Sequence, residues 1–170
     1  MTENKMREIL IEKVTVNIGV GAPGDKLEHA KGLLERLTDG KAVETHARRR
    51  DPVFKLRKGL PIGAKVTLRG EGAKTFLDKA LNAKRRQLKS SNFDRQGNFA
   101  FGIHEYIDFP GAKYDPGIAM FGFDICVSLA RKGGRVSIRK LRPSNVGRHH
   151  RVTRDEAMDF AKNSLAVKIE

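Results

Sequence analysis

Cysteine is almost missing from this chain of 170 residues: Cys126 stands alone, which excludes an intramolecular disulfide and any thiolate zinc cluster. No apolar run approaches the ~18 to 20 residues that a bilayer-spanning helix needs. The opening MTENKMREIL lacks the apolar core of a signal peptide, so a cytoplasmic protein without a membrane partner is expected. Catalytic groupings are lacking as well. His29, His46, His104, His149 and His150 show no metal-ligand spacing with carboxylates or with each other, so neither a metal nor a cofactor is expected. No Ser, His and Asp fall in a plausible triad motif, and Cys126 sits mid-strand without a recognisable base nearby. The expectation is a binding protein, not an enzyme.

Acid is the last shortage. Asp and Glu total 20 against 34 Lys and Arg, giving a formal charge of +14 and a pI near 10.2. Such a surface repels copies of itself, so no homo-oligomer is expected, and it attracts polyanions, with nucleic acid the leading partner class. The length suits one domain over residues 1–170, and no internal repeat or domain boundary is visible.

What the chain does contain is alternation. EKVTVNIGV places Val14, Val16, Ile18 and Val20 on one face and Thr15, Asn17 and Gly19 on the other, a half-buried strand. After the GAPG turn, Leu27, Ala30, Leu34 and Leu37 form a helical stripe that ends at TDG, where Gly40 can take the left-handed cap. A second strand is predicted over about 41–48. GAKVTLRG gives a third, with Ala64, Val66 and Leu68 inward and Lys65, Thr67 and Arg69 outward. Residues 72–88 repeat Ala73, Phe76, Leu77, Ala80 and Leu81 at helical spacing. NFAFGIHEYI and MFGFDICVSLA add two strands, with Phe99, Phe101, Ile103, Phe121, Phe123, Ile125, Val127 and Leu129 inward. A final helix opens at Thr153, whose spacing to Glu156 is that of a capping box, and Ala157, Phe160, Ala161 and Leu165 give its apolar side.

Strands with one apolar and one polar face indicate an α+β domain, a mainly antiparallel sheet with helices on one side and the other side open. The open face collects Thr15, Asn17, Gly19, Lys65, Thr67, Arg69, Ala100, Gly102, His104, Gly122, Asp124, Cys126 and Ser128. Small and short polar groups of this kind let a folded RNA backbone or minor groove come close and offer partners to ribose and phosphate. A plain solvated sheet surface is the alternative, but such surfaces carry more long charged side chains.

Two motifs mislead. Gly19, Gly21 and Gly24 spell G-x-G-x-x-G, with Glu44 at a suitable distance for a dinucleotide site. The strand before it alternates, however, instead of being apolar on both faces, and Pro23 removes an amide that could hold a pyrophosphate. Glycines making a tight turn are the better reading, and an NAD(P)-dependent oxidoreductase stays an outside alternative. GNFAFGI resembles the aromatic strand of an RNA recognition motif, but alternation sends Phe99 and Phe101 to the core.

The long charged side chains are gathered elsewhere. A loop over about 47–61 holds Arg48, Arg49, Arg50, Lys55, Arg57 and Lys58 against Asp51 alone, and reads as an electrostatic finger. From Arg131 the chain carries Lys132, Arg135, Arg139, Lys140, Arg142, Arg148 and Arg151 with no acid, an arm over about 131–152 whose order is expected to depend on a partner. Arg85, Arg86, Lys89 and Arg95 form a smaller third cluster. A free-standing RNA chaperone would carry similar charge.

Four motifs in order, IEKVTVNIGVG, FKLRKGLPIGAKVTLRG, GNFAFGIHEYIDFPGAKYDP and FGFDICV, carry a family likeness across nearly the whole chain. The sequence resembles the uL5 family of large-subunit ribosomal proteins, in the version found in archaea and eukaryotes. That resemblance implies an open sheet face gripping 5S rRNA and a neighbouring part of the large-subunit rRNA in the central protuberance. It implies RNA contact at Asn17, Lys41 and Thr67, with Lys41 standing where bacterial relatives often have Gln and so directed to phosphate. The loop from Arg48 to Leu60 would point toward P-site tRNA. A protein of the small-subunit head would complete an intersubunit bridge.

Overall fold

A computed structural model describes residues 4–115 and 117–170. Five antiparallel strands form one sheet in the order β2-β3-β1-β6-β5: β1 is Ile9–Gly19, β2 Val43–His46, β3 Pro61–Leu68, β5 Phe99–Ile103 and β6 Phe123–Arg131. Helix α1 (Asp25–Thr38) and helix α2 (Gly70–Ala83) connect β1 to β2 and β3 to the rest of the chain, and α3 (Arg154–Leu165) follows the arm. A parallel pair, β4 (Gln87–Leu88) with β7 (Lys168–Ile169), ties the end of α2 to the carboxyl terminus. The α+β architecture expected from alternation is present.

The core follows from the inward side chains. Val14, Val16, Ile18, Ala64, Val66, Phe99, Phe101, Ile103, Phe123, Ile125 and Val127 are all buried on one sheet face, against Leu27, Ala30 and Leu34 of α1 and Ala73, Phe76, Leu77, Ala80 and Leu81 of α2. Phe109 joins the helix layer to the sheet: its ring stacks on Phe76 at 5.1 Å and meets Phe123 edge-on at 6.0 Å. Such pairs add about 0.5 to 1.5 kcal/mol beyond the area they bury.

Several boundaries differ from the sequence reading for local reasons. β1 starts at Ile9, and its pairing with β6 skips Glu12: Lys13 faces Ser128 but Ile11 faces Leu129. This bulge reverses the alternation, turning Ile9 and Ile11 toward the core and Leu10 outward. Asp39, not Gly40, takes the left-handed cap of α1 at φ 51°, donating its N–H to the Glu35 carbonyl. Gly40 instead lies close to the sheet: a Cβ there would sit 3.1 Å from Val66 Cγ1, so the valine would have to shift slightly to admit it. α2 stops at Ala83, short of residue 88, because Arg85 and Arg86 adopt φ 56° and 53° and redirect the chain into β4. α3 opens with the expected box: the Thr153 hydroxyl accepts from the Glu156 amide and the Glu156 carboxylate accepts from the Thr153 amide at 3.0 Å. Phe121 and Phe160 are only half-buried, Phe121 because β6 begins two residues later.

Candidate nucleic-acid interface

With the helices on one side, the other sheet face is uncovered. All thirteen positions assigned to it are exposed or half-buried, while Val16 and Val66 beside them are 0% and 2% exposed. Register places Thr67, Thr15, Cys126 and Ala100 side by side across β3, β1, β6 and β5. The next row runs Val43, Lys65, Asn17, Asp124 and Gly102 across all five strands. Gly19, Gly63 and Thr45 follow in a third. Strands lie ~4.8 Å apart, so short side chains in such rows leave a surface of low relief. Asp124 lies against Gly102, where a Cβ would sit 3.2 Å from its carboxylate oxygen.

Alternation alone could have added two residues to this face. Lys13 extends it beyond Thr15, and Val43, 56% exposed, sits opposite Lys65 at the edge strand. Lys41 is exposed but lies two residues before β2, outside the strands. Arg69 is exposed and reaches Glu12 at 3.9 Å, so the bulge residue partly neutralises it. Burial pushes the Cys126 thiol above its usual range, helped by the Asp124 charge, which keeps it a neutral group and not a thiolate nucleophile.

The finger is ordered. Ala47 pairs with Leu60 and Gly59 beyond β2, and Asp51 and Leu56 exchange two backbone hydrogen bonds at 3.0 and 2.8 Å. The one acid of the finger is turned inward: its carboxylate accepts from the amides of Val53 and Phe54. Arg48, Arg49, Arg50, Lys55, Arg57 and Lys58 are all exposed, and none forms an ion pair among the described residues. Their charge faces outward without compensation.

The arm differs from a simple extended tail, because its two ends are clasped. Arg131 has a side chain only 9% exposed and bonds Glu156 at 2.7 Å and the His149 carbonyl at 3.1 Å. The His150 ring bonds the Lys132 carbonyl at 2.9 Å, and the Lys132 ammonium pairs with Glu8. Arg131 and Lys132 therefore hold the neck. Arg135, Arg139, Lys140, Arg142, Arg148 and Arg151 are exposed on the arm beyond it. These neck bonds join residues 18 to 124 positions apart and leave no local signal in the sequence. In the third cluster, Arg86 also serves the fold: it donates to Asn82 at 2.9 Å and to the Leu165 carbonyl at 2.8 Å, while Arg85, Lys89 and Arg95 stay exposed.

The dinucleotide reading fails on geometry. β1 is a central strand with antiparallel neighbours on both sides, not the parallel strand of a βαβ unit. Gly21 and Gly24 take φ 83° and 123°, values that a tight turn into α1 demands.

An uncovered sheet face of short polar groups, flanked by two cationic projections, defines a class: a basic α+β protein with a surface for binding. Comparison with known proteins narrows this. The family model for the C-terminus of ribosomal protein L5 matches residues 61–160, and the model described as Ribosomal protein L5 matches residues 4–57. The large ribosomal subunit protein uL5 of Sulfurisphaera tokodaii is 47% identical over 169 residues, covering 99% of this chain and 96% of the relative. Those of Methanosphaera stadtmanae, at 44% with 98% and 99% covered, and of Methanococcus maripaludis strain C7, at 48% with 96% and 92% covered, are similar. The chain belongs to the uL5 family of structural, non-enzymatic proteins of the large ribosomal subunit.

Proposed function

We propose that residues 1–170 act as one unit that docks 5S rRNA onto the large-subunit rRNA in the central protuberance, through the open sheet face. The observation that carries this reading is the row Lys65, Asn17, Asp124 and Gly102 with its neighbour Thr67, Thr15, Cys126 and Ala100: a flat polar strip with all helices behind it. A-form RNA presents ribose hydroxyls and phosphates in a wide, shallow minor groove, and short donors and acceptors on a flat surface can reach them. Thr15, Asn17, Gly19, Thr67 and Gly102 supply close approach and hydrogen bonds; Lys41, Lys65 and Arg69 supply charge. The finger contacts P-site tRNA through backbone phosphates, the exposed arm cations engage large-subunit rRNA, and a protein of the small-subunit head completes an intersubunit bridge. The protein thus works in the cytoplasm, on the ribosome.

The test is filter binding of the full chain to 5S rRNA, tRNA and random RNA duplex at physiological salt. Preference for 5S rRNA is expected, because shape recognition survives where charge attraction is screened. Equal affinity for all three would mean a general RNA chaperone and would sink the proposal.

A further inference from the structure

Of nine phenylalanines, only Phe54 is exposed; it is 72% exposed, and its neighbour Val53 is 84% exposed. Both sit at the tip of the finger. An apolar pair so exposed buries little area for the fold, yet the turn that presents it is tightly built. The Asp51–Leu56 pair closes it, Lys55 donates to the Pro52 carbonyl at 3.2 Å, and Lys55 itself takes φ 54°. The Asp51 carboxylate holds both amides of the apolar pair. Fixing the backbone on either side of Phe54 presents its ring with little further ordering cost on contact.

We propose that the Val53–Phe54 tip is a stacking platform for a nucleobase, one left uncovered at the end of an RNA stack or splayed from it. The reading rests on the finger meeting RNA, as proposed above, and adds how it does so. Six exposed cations, none in an ion pair among the described residues, share the finger with the tip, and a partner without a dense array of anions would have to strip water from them uncompensated. RNA pairs them with phosphates and offers a π-face to the ring at the same time. A base inside a helix is covered on both sides, so only an end or an unpaired position can accept the ring. None of the thirteen residues of the open sheet face carries an aromatic ring except the imidazole of His104, so the two surfaces read different features of RNA.

The chain contains no tryptophan, which makes Phe54→Trp a single reporter at an exposed site. The full chain carrying it would be titrated with unmodified tRNA and with inorganic polyphosphate, following emission and anisotropy together. Expected is quenching by tRNA and none by bound polyphosphate, which has no bases. Separately, Phe54→Ala should lower tRNA affinity about tenfold with an unchanged salt slope, and Phe54→Leu should recover only part of that loss. If tRNA binds but the tryptophan stays silent and Phe54→Ala binds as well as wild type, the platform is refuted while the finger–RNA contact stands. A blue shift on adding small ribosomal subunits, without quenching by tRNA, would assign the tip to a protein and also refute it. Failure of tRNA to bind at all would remove both readings.

Discussion

Asn17 and Lys65 are direct neighbours in one row of the open face, and they should fail in different ways when truncated. Among the described residues only Arg131 Nε is a buried side-chain polar atom without a partner, so the half-buried Asn17 amide, unpaired within the fold, stays in contact with water. Asn17→Ala therefore costs the free protein little, within about 0.5 kcal/mol. In the complex it leaves buried RNA groups unpaired, a loss of about 1 to 3 kcal/mol, or roughly 5- to 150-fold in affinity for 5S rRNA. The salt dependence should not change. Lys65→Ala removes one exposed cation; it should lower the slope of log K against log salt by ~0.7 to 0.9 if it meets one phosphate, and matter less as salt rises. Filter binding over a salt series, with thermal melting of each variant as control, separates the two. Parallel lines for Lys65→Ala, or a reduced slope for Asn17→Ala, would show that the face does not divide into hydrogen-bonding and charge contacts as argued.

Other consequences concern the finger and the scaffold. Arg49→Ala or Lys58→Ala should leave 5S rRNA binding nearly intact and weaken P-site tRNA retention on reconstituted subunits. Phe109→Ala should destabilise by about 3 to 5 kcal/mol, measured by urea denaturation, since it removes the ring between Phe76 and Phe123. Gly63→Ala would set a Cβ 2.6 Å from the Ile18 carbonyl and should cost about 1 to 3 kcal/mol by overpacking, lowering the denaturation midpoint. The Glu156 carboxyl is held below its ordinary value of 4.5, first by the Thr153 amide and then by Arg131. Its folded value lies under its unfolded one, so its contribution is complete above about 4.5 and fades as pH falls through the lowered value. Glu156→Gln should therefore flatten the acid side of the stability–pH curve.

The open face was legible because period-two alternation is a local signal: knowing that Val14 and Val16 are inside puts Thr15 and Asn17 outside. The capping box of α3 was legible for the same reason, both partners lying within four residues. The bulge at Glu12 was not, because it is set by pairing with a strand more than a hundred positions away. Likewise Phe93, Tyr106 and Phe109 are buried in irregular segments where no period marks them. The clasp at the neck of the arm was not legible because the carboxylates that form it, Glu8 and Glu156, lie outside the arm's own stretch of sequence. At the finger, counting cations identified the element but passed over Val53 and Phe54, which a charge pattern does not weigh.

The clasp at Arg131 and Lys132 returns the chain to the place it left, at His149 and His150. What lies between is then a cassette whose length the sheet and α3 barely register: doubling a flexible loop costs only about 0.6 kcal/mol in closure entropy. Lineages, or engineers, can lengthen, shorten or replace it to suit a different neighbouring RNA while leaving the rest of the architecture alone.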